Sequence, residues 1–462
     1  MDNTIITAFT KIVGADRLAT DPASLKEYGR DWVKYLEPKP LAIAFPKSTA
    51  EVVELVKVCR QHKIGIVPSG GRTGLSGGAA ALNGELVISF QKMNRILEFD
   101  PYDQTVLVEA GAVTEAVQKF AEEKGLTYPV DFASRGSSQI GGNVATNAGG
   151  IKVLRFGLTR QWVAGLEVVT GTGEVLQLGN SLVKNATGYD LRHLMIGSEG
   201  TLGLITHVTL NLARPTSAPA LFIFGVASLD AVMGIFHSYK KAVPLMAFEM
   251  FTDLALKHVV KHHPTLQRPF ANPSPYYVLA EIEVTGDDVL NKALELFEQG
   301  VEKGWIEDGV QAQSPQQARD FWRLREDISE ATAPHTPYKN DVSVRVAKVP
   351  EFLTSMDAIL KKEYPTFEVV WFGHIGDGNL HINILKPADL STTEFLSECK
   401  KVDQQLFAMI DRLKGSVSAE HGVGVTKRQY LSHTRSAAEI TLMKQIKNAF
   451  DPEGIMNPGK IF

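Results

Sequence analysis

Apolar positions keep helical spacing in some stretches of the chain and form short unbroken runs in others, and the two patterns alternate nearly to the end. Val52, Leu55, Val56 and Cys59 lie on one helix face behind Ser48-Thr49-Ala50-Glu51, a capping-box sequence, so a helix is predicted there. Apolar runs at 64–67, 86–90 and 105–110 predict strands. Thr114 predicts the cap of a helix ending near Gly125, and 166–178 around Gly171-Thr172-Gly173 predicts a hairpin. Pro215-Thr216-Ser217-Ala218-Pro219 has the composition of a linker. After it, strands at 221–226, 246–251, 276–284, 307–311, 342–346 and 369–372 alternate with helices at 229–241, 289–304, 393–413 and 437–450. Another helix opens at Ser314-Pro315-Gln316-Gln317, with a cap and a first-turn proline, and one further helix precedes residue 369. The pattern predicts an α+β region, an antiparallel sheet with helices stacked on one face. Residues 1–35 read as polar and helical.

Three stretches break the pattern with glycine. Pro68-Ser69-Gly70-Gly71-Arg72-Thr73-Gly74-Leu75-Ser76-Gly77-Gly78 follows a strand and can converge backbone N–H groups into an anion-binding nest. It lacks the Gly-Lys-Ser/Thr of a Walker loop and the Gly-x-Gly-x-x-Gly register of a dinucleotide fold. A plain surface turn would not need so many glycines. The second block, Ser134 to Gly150, is built of residues too small for a core but suited to a flat or anionic ligand lying on bare backbone. The third is Gly197-Ser198-Glu199-Gly200-Thr201-Leu202-Gly203-Leu204-Ile205-Thr206.

Chemistry-bearing residues gather near the C-terminus. Gly373-His374-Ile375-Gly376-Asp377-Gly378-Asn379-Leu380-His381 sits between apolar runs, so Gly-Asp-Gly-Asn predicts a hairpin turn with His374 and His381 facing each other across two strands. Two histidines and a carboxylate are a donor set for zinc or a similar divalent ion, and Glu420 of Ala419-Glu420-His421-Gly422 would arrive from a separate loop. Solvated hairpin histidines are the plain alternative. Asn383 points to the same strand face as His381. Trp322, Arg325 and Ser329 keep i, i+3, i+7 spacing, so Arg325 and Ser329 project together, with Lys339 following. His258, His262 and His263 lie on a basic helical stretch with no carboxylate nearby in sequence, which reads as a solvated face.

Composition narrows the classes. The 462 residues call for two or three domains. Hydrophobic content of 44% and charged content of 22% are ordinary for a globular protein. A net charge of −4 implies no nucleic-acid or anionic-membrane partner. Cys59 and Cys399, far apart in helical stretches, imply no disulfide framework and a reducing compartment. Met1-Asp2-Asn3-Thr4 has no basic and apolar leader, and the apolar stretch 218–236 is interrupted by Asp230, so a cytoplasmic protein without a membrane span is expected.

The nest loop, Ile-Gly-Gly-Asn-x-x-x-Asn-x-Gly-Gly and Gly-Ser-Glu-Gly-x-x-Gly-x-Ile, in that order, resemble the FAD-binding domain of the vanillyl-alcohol oxidase and p-cresol methylhydroxylase flavoproteins. The resemblance implies that Pro68, Ser69, Gly70, Gly71, Arg72, Thr73 and Gly74 hold the pyrophosphate. It also implies that Ser134, Gly141, Gly142, Asn143, Thr146, Asn147 and Gly150 line the flavin, and that Glu199, Gly203 and Ile205 lie near the adenosine end. No histidine occurs between His62 and His193, so non-covalent FAD is expected.

From about residue 36 to the end, the chain resembles the FAD-linked dehydrogenases of D-2-hydroxy acids, through the His374–His381 motif, Ser-x-Glu-His-Gly-x-Gly and the closing Ile455-Met456-Asn457-Pro458-Gly459, whose Asn457 would join the cofactor site. The implied organisation is a 1–35 helical segment, a 36–214 FAD-binding domain of the p-cresol methylhydroxylase type, a 215–425 antiparallel substrate and metal domain, and a 426–462 helical segment returning to the FAD domain. The expected chemistry joins a divalent metal on His374, His381 and Glu420, a general base at His421 (a fourth metal ligand is its plain alternative), and hydride transfer to FAD. Arg325, Ser329 and Lys339 match the positions with which 2-hydroxyglutarate dehydrogenases of this family grip a distal carboxylate, with Ser in place of Thr and a run to the Lys one residue shorter. Arg345 stands in a strand position where relatives tend to carry proline. D-2-hydroxyglutarate is the first substrate expected and malate the second, with D-lactate or glycolate as the family alternative. A metallohydrolase, an NAD(P)H-dependent flavin reductase and a non-catalytic binding protein are the readings from other classes. The expected partners are the 2-hydroxy acid and an electron acceptor such as an electron-transfer flavoprotein or quinone, with a homodimer the assembly considered.

Overall fold

A computed structural model describes residues 3–462; Met1 and Asp2, the start of the expected N-terminal helical segment, lie outside the described residues. The described residues fall into two compact units. One takes the chain up to Gly150, Gly157–Pro215 and Glu420–Phe462, and the other takes Ile151–Phe156 and Thr216–Ala419. Among the described residues no helix is long and apolar enough to cross a membrane.

In the first unit the helix Asn3–Val13 buries Phe9 and Val13 in the core, so this segment is amphipathic and not simply polar. The helix Thr49–His62 begins where Ser48 accepts the Glu51 N–H, and it buries Val52, Leu55, Val56 and Cys59. Leu18–Ala19, Ala42–Ala44, Leu86–Ser89 and Ile66–Ser69 form one sheet in that order. Ile96–Asp100, Thr105–Glu109, Gly203–Asn211, Val163–Thr170 and Val175–Leu178 form an antiparallel second sheet. Thr114 is not a cap. Val113 takes the N-cap position of the helix Thr114–Glu123, and the buried Thr114 hydroxyl turns to the Ser138 hydroxyl at 2.8 Å. A polar group enclosed beside the second glycine block finds its partner there.

The second unit is a seven-stranded antiparallel sheet in the order Ile306–Gln311, Pro219–Val226, Tyr276–Glu283, Leu245–Thr252, Val369–Gly373, Asn379–Ile384, Tyr338–Ser343. The expected sheet class holds, but the helices lie on both faces instead of one. Phe236 of the helix Leu229–Ala242 packs on Phe248, and Phe297 of Asp287–Glu302 on Phe224. On the opposite face Leu256, Leu324 and Ile328, from Asp253–His262, Pro315–Glu326 and Ile328–Thr332, share a core with Ile223, Phe251 and Leu279. The central strands are almost continuously buried, and a strand without an exposed face needs cover on both sides. The helix opened by Ser314 stops at Glu326; Asp327, at ψ 0, separates it from Ile328–Thr332, so Arg325 and Ser329 do not share one uninterrupted helix. Arg345 is exposed beyond the end of Tyr338–Ser343, outside the strand expected to carry it.

Candidate active site

The sheet face that carries Phe251 also presents a row of polar side chains. Across Asn379–Ile384 and Tyr338–Ser343, His381 pairs with Asp341 and Asn383 with Lys339, while Phe372 of Val369–Gly373 pairs with His381. The turn after Gly373 needs left-handed backbone only at Gly378 (φ 86), where a Cβ would lie 2.0 Å from the Val344 carbonyl oxygen. His374 stands at its start. The rings of His374 and His381 are edge to face with centroids 5.5 Å apart, both are buried, and a ring nitrogen of each lies within 4.8 Å of the other. The hairpin reading of these two histidines holds.

Several partners come from strands distant in sequence. His374 Nδ1 lies 2.8 Å from Glu249 Oε1, and Arg325 Nη2 lies 2.9 Å from Glu249 Oε2. Arg325 also stacks over the Phe372 ring at 4.8 Å. His381 Nδ1 is 3.8 Å from Asp341, which accepts from Asn379 Nδ2 at 2.8 Å and from the Ala419 N–H at 3.1 Å. Asn383 Nδ2 reaches Thr332 Oγ1 at 3.4 Å. Lys339 is half-buried, and its ammonium has no hydrogen-bond or ion-pair partner among the described residues; desolvation holds its pKa below the ordinary lysine value. Burial pushes the Asp377 carboxyl up to about 6. Glu249 and Asp341 carry no motif around them, and nothing in the local sequence singles them out.

Ser329 is half-buried, and its carbonyl accepts from the Thr332 hydroxyl. The histidines at 258, 262 and 263 do have carboxylates near them: Glu368 lies 3.0 Å from His258, Asp327 3.4 Å from His263 and Glu330 3.7 Å from His262. Those partners come from later elements that local sequence does not reveal. Ala419 ends this unit, and Glu420 and His421 open the next segment of the other.

In that unit the glycine blocks come together. A Cβ on Gly71 would lie 2.0 Å from the Ser137 carbonyl oxygen, and one on Gly150 1.9 Å from that of Asp131, whereas Gly142 faces open space. Arg72, at φ 58, lies over the Tyr28 ring. Asn143 Nδ2 donates to Thr114, Thr146 Oγ1 to the Gly142 carbonyl, and Asn147 Oδ1 accepts from the Arg160 N–H. Glu199 accepts the N–H groups of Val423 at 2.7 Å and Gly424 at 2.8 Å, and burial raises its pKa. Gly203 packs on Val168, Ile205 is buried, and Glu420 Oε1 would lie 2.9 Å from a Cβ on Gly149. Asn457 Nδ2 ties the Gly78 and Glu199 carbonyls together at 2.9 and 2.7 Å. Ser69 Oγ, Gln139 Oε1 and Asn457 Oδ1 are buried without a partner among the described residues. Orphaned polar atoms beside close-approach glycines fit a flavin nucleotide, which would supply the missing donors and acceptors.

Two family models match successive stretches of the chain. The family of FAD linked oxidases, C-terminal domain, matches residues 216–461, and the FAD binding domain family matches residues 40–179. The chain is 53% identical to a D-2-hydroxyglutarate dehydrogenase of Stutzerimonas stutzeri, covering 100% of this chain and 99% of that one. It is 52% identical to another from Xanthomonas citri pv. viticola, over 99% of this chain and 96% of that one. p-Cresol methylhydroxylase superposes with a TM-score of 0.78 at 17% identity, covering 99% of this chain and 96% of that one, which shows a shared fold. The chain therefore belongs to the FAD-linked D-2-hydroxyacid dehydrogenases, FAD-dependent oxidoreductases that act on 2-hydroxy acids.

Proposed function

We propose that this enzyme oxidises D-2-hydroxyglutarate, with D-malate second, to the 2-oxo acid, using a divalent metal such as zinc held by His374, His381 and Glu420 together with non-covalent FAD. The convergence of His374 and His381 on one hairpin, beside an uncompensated Lys339, supports this reading. Glu420 follows a segment pinned to the His381 strand pair through Asp341, which favours it as the third donor. Bound FAD would supply a two-electron acceptor for the α-hydrogen, and a bound cation would supply a Lewis acid for the hydroxyl. His421 takes the hydroxyl proton, and Asn383 orients the substrate from the same strand face as His381. Arg325, Ser329 and Lys339 hold the distal carboxylate. The names of its relatives favour 2-hydroxyglutarate, and a lactate would leave the partly desolvated Lys339 unpaired.

Ser69 to Gly74 would hold the FAD pyrophosphate and Ser134 to Gly150 its flavin portion, with Asn457 at the third block. An electron-transfer flavoprotein or quinone would reoxidise the enzyme. The test is anaerobic mixing with D-2-hydroxyglutarate, D-malate and D-lactate while following flavin absorbance near about 450 nm, with and without chelator. Fastest reduction by 2-hydroxyglutarate and loss of that reduction with chelator are expected. Faster reduction by lactate would overturn the dicarboxylate assignment, and an unchanged rate in chelator would remove the metal.

A further inference from the structure

We propose that Glu249 is a positioning residue with two functions. One oxygen fixes His374 as a metal ligand, and the other cancels the charge of Arg325, so that Lys339 is the cation left to balance a substrate's second carboxylate. The first function presupposes the metal reading above; the second does not.

Glu249 is 1% exposed on the strand Leu245–Thr252. A carboxylate buried so deeply is costly unless its charge is met. Its Oε1 lies 2.8 Å from His374 Nδ1. A carboxylate only accepts, so the imidazole proton sits on Nδ1 and the Nε2 lone pair is left to coordinate. The backbone holds the same pairing, because the Gly376 N–H of the hairpin turn donates to the carbonyl of Phe248, next to Glu249, at 3.2 Å.

The contact with Arg325 is of a different kind. Oε2 lies 2.9 Å from Nη2, yet neither atom is in hydrogen-bonding geometry, and Arg325 Nε is also buried without an acceptor among the described residues. The closeness compensates charge, while the guanidinium donors remain directed elsewhere. Arg325 is thus equipped to donate hydrogen bonds to a ligand carboxylate without leaving a net charge at the site. Lys339, half-buried with no anion beside it among the described residues, supplies the charge. An ion pair serving stability alone would leave neither an idle pair of donors nor a shared histidine.

Glu249→Gln separates the two functions. An amide has one acceptor oxygen for the two partners, so either His374 or Arg325 loses its own, and the anion is gone in both cases. In the flavin-loaded enzyme, the zinc dissociation constant from chelator competition is expected to rise by about 10- to 100-fold. The dissociation constant of glutarate, read from the flavin spectrum of the oxidised enzyme, is expected to fall, while Lys339→Met raises it. A residue of purely structural importance would weaken both ligands. An unchanged zinc constant overturns the His374 function, and unchanged or weakened glutarate binding overturns the charge function. If wild-type enzyme and His374→Ala bind zinc equally, the metal reading itself fails, and the glutarate result still decides the second function. Should Glu249→Gln lose its flavin, Glu249→Asp carries the same measurements: weaker zinc, unchanged glutarate, with stronger zinc or altered glutarate counting against the proposal.

Discussion

Lys339 stands half-buried on the polar sheet face with no anion beside it among the described residues. A charge-assisted bond to a distal carboxylate is worth about 1.5–3 kcal/mol. Lys339→Met is therefore expected to lower kcat/KM for D-2-hydroxyglutarate roughly 10- to 150-fold, while D-lactate, without that carboxylate, changes little; steady-state kinetics on both substrates check it. His421 is expected to act only on the proton. His421→Ala should keep flavin and metal, measured by absorbance and metal analysis, and lose about 10²- to 10⁴-fold in kcat. A near-normal rate would remove it as base. Arg325 was legible as a cation on one helix face, but its Glu249 partner was not, because 76 positions of chain separate them and only the tertiary fold brings them together.

At the scale of elements, the hairpin 373–381 depends on one left-handed glycine. Gly378→Ala combines φ 86 with a Cβ 2.0 Å from the Val344 oxygen. It is expected to cost about 2 kcal/mol or more and to loosen the two histidines, visible together in thermal unfolding and in weaker zinc binding. Helices with clear end signals were legible to within a residue or two: Ser314 and Ser48 cap where their sequences say. The interruption at Asp327 was not, since the apolar spacing of Phe321, Leu324 and Ile328 continues through it. Those side chains pack into one core on either side of the break, so periodicity reports the buried face and misses the bend.

At the scale of the whole molecule, each unit is knitted by polar groups from separate elements. In the flavin unit Glu167 accepts from His207 at 2.7 Å, from Thr206 at 2.7 Å and from Gln177 at 2.6 Å, and it also meets Thr49 at the start of a helix. These bonds, that of His207 foremost, hold its pKa down at about 2 against an ordinary 4.5. A folded value below the unfolded one stabilises above the unfolded pKa and is lost as pH falls through the folded one. Wild type should therefore melt above Glu167→Gln at pH 6, with the gap closing between about pH 4.5 and pH 2; a gap constant across that range would refute it.

Local chemistry was enough to predict the glycine-rich turns, the paired hairpin histidines, most helix caps and the positions of most strands along the chain, because turn angles, caps and apolar periods act over a few residues. Which groups share a charge was left to the tertiary structure. Glu249 beside His374 and Arg325, Asp341 beside His381, and the cover on both faces of the sheet depend on strands distant in sequence lying next to each other, and short-range patterns carry no information about that adjacency.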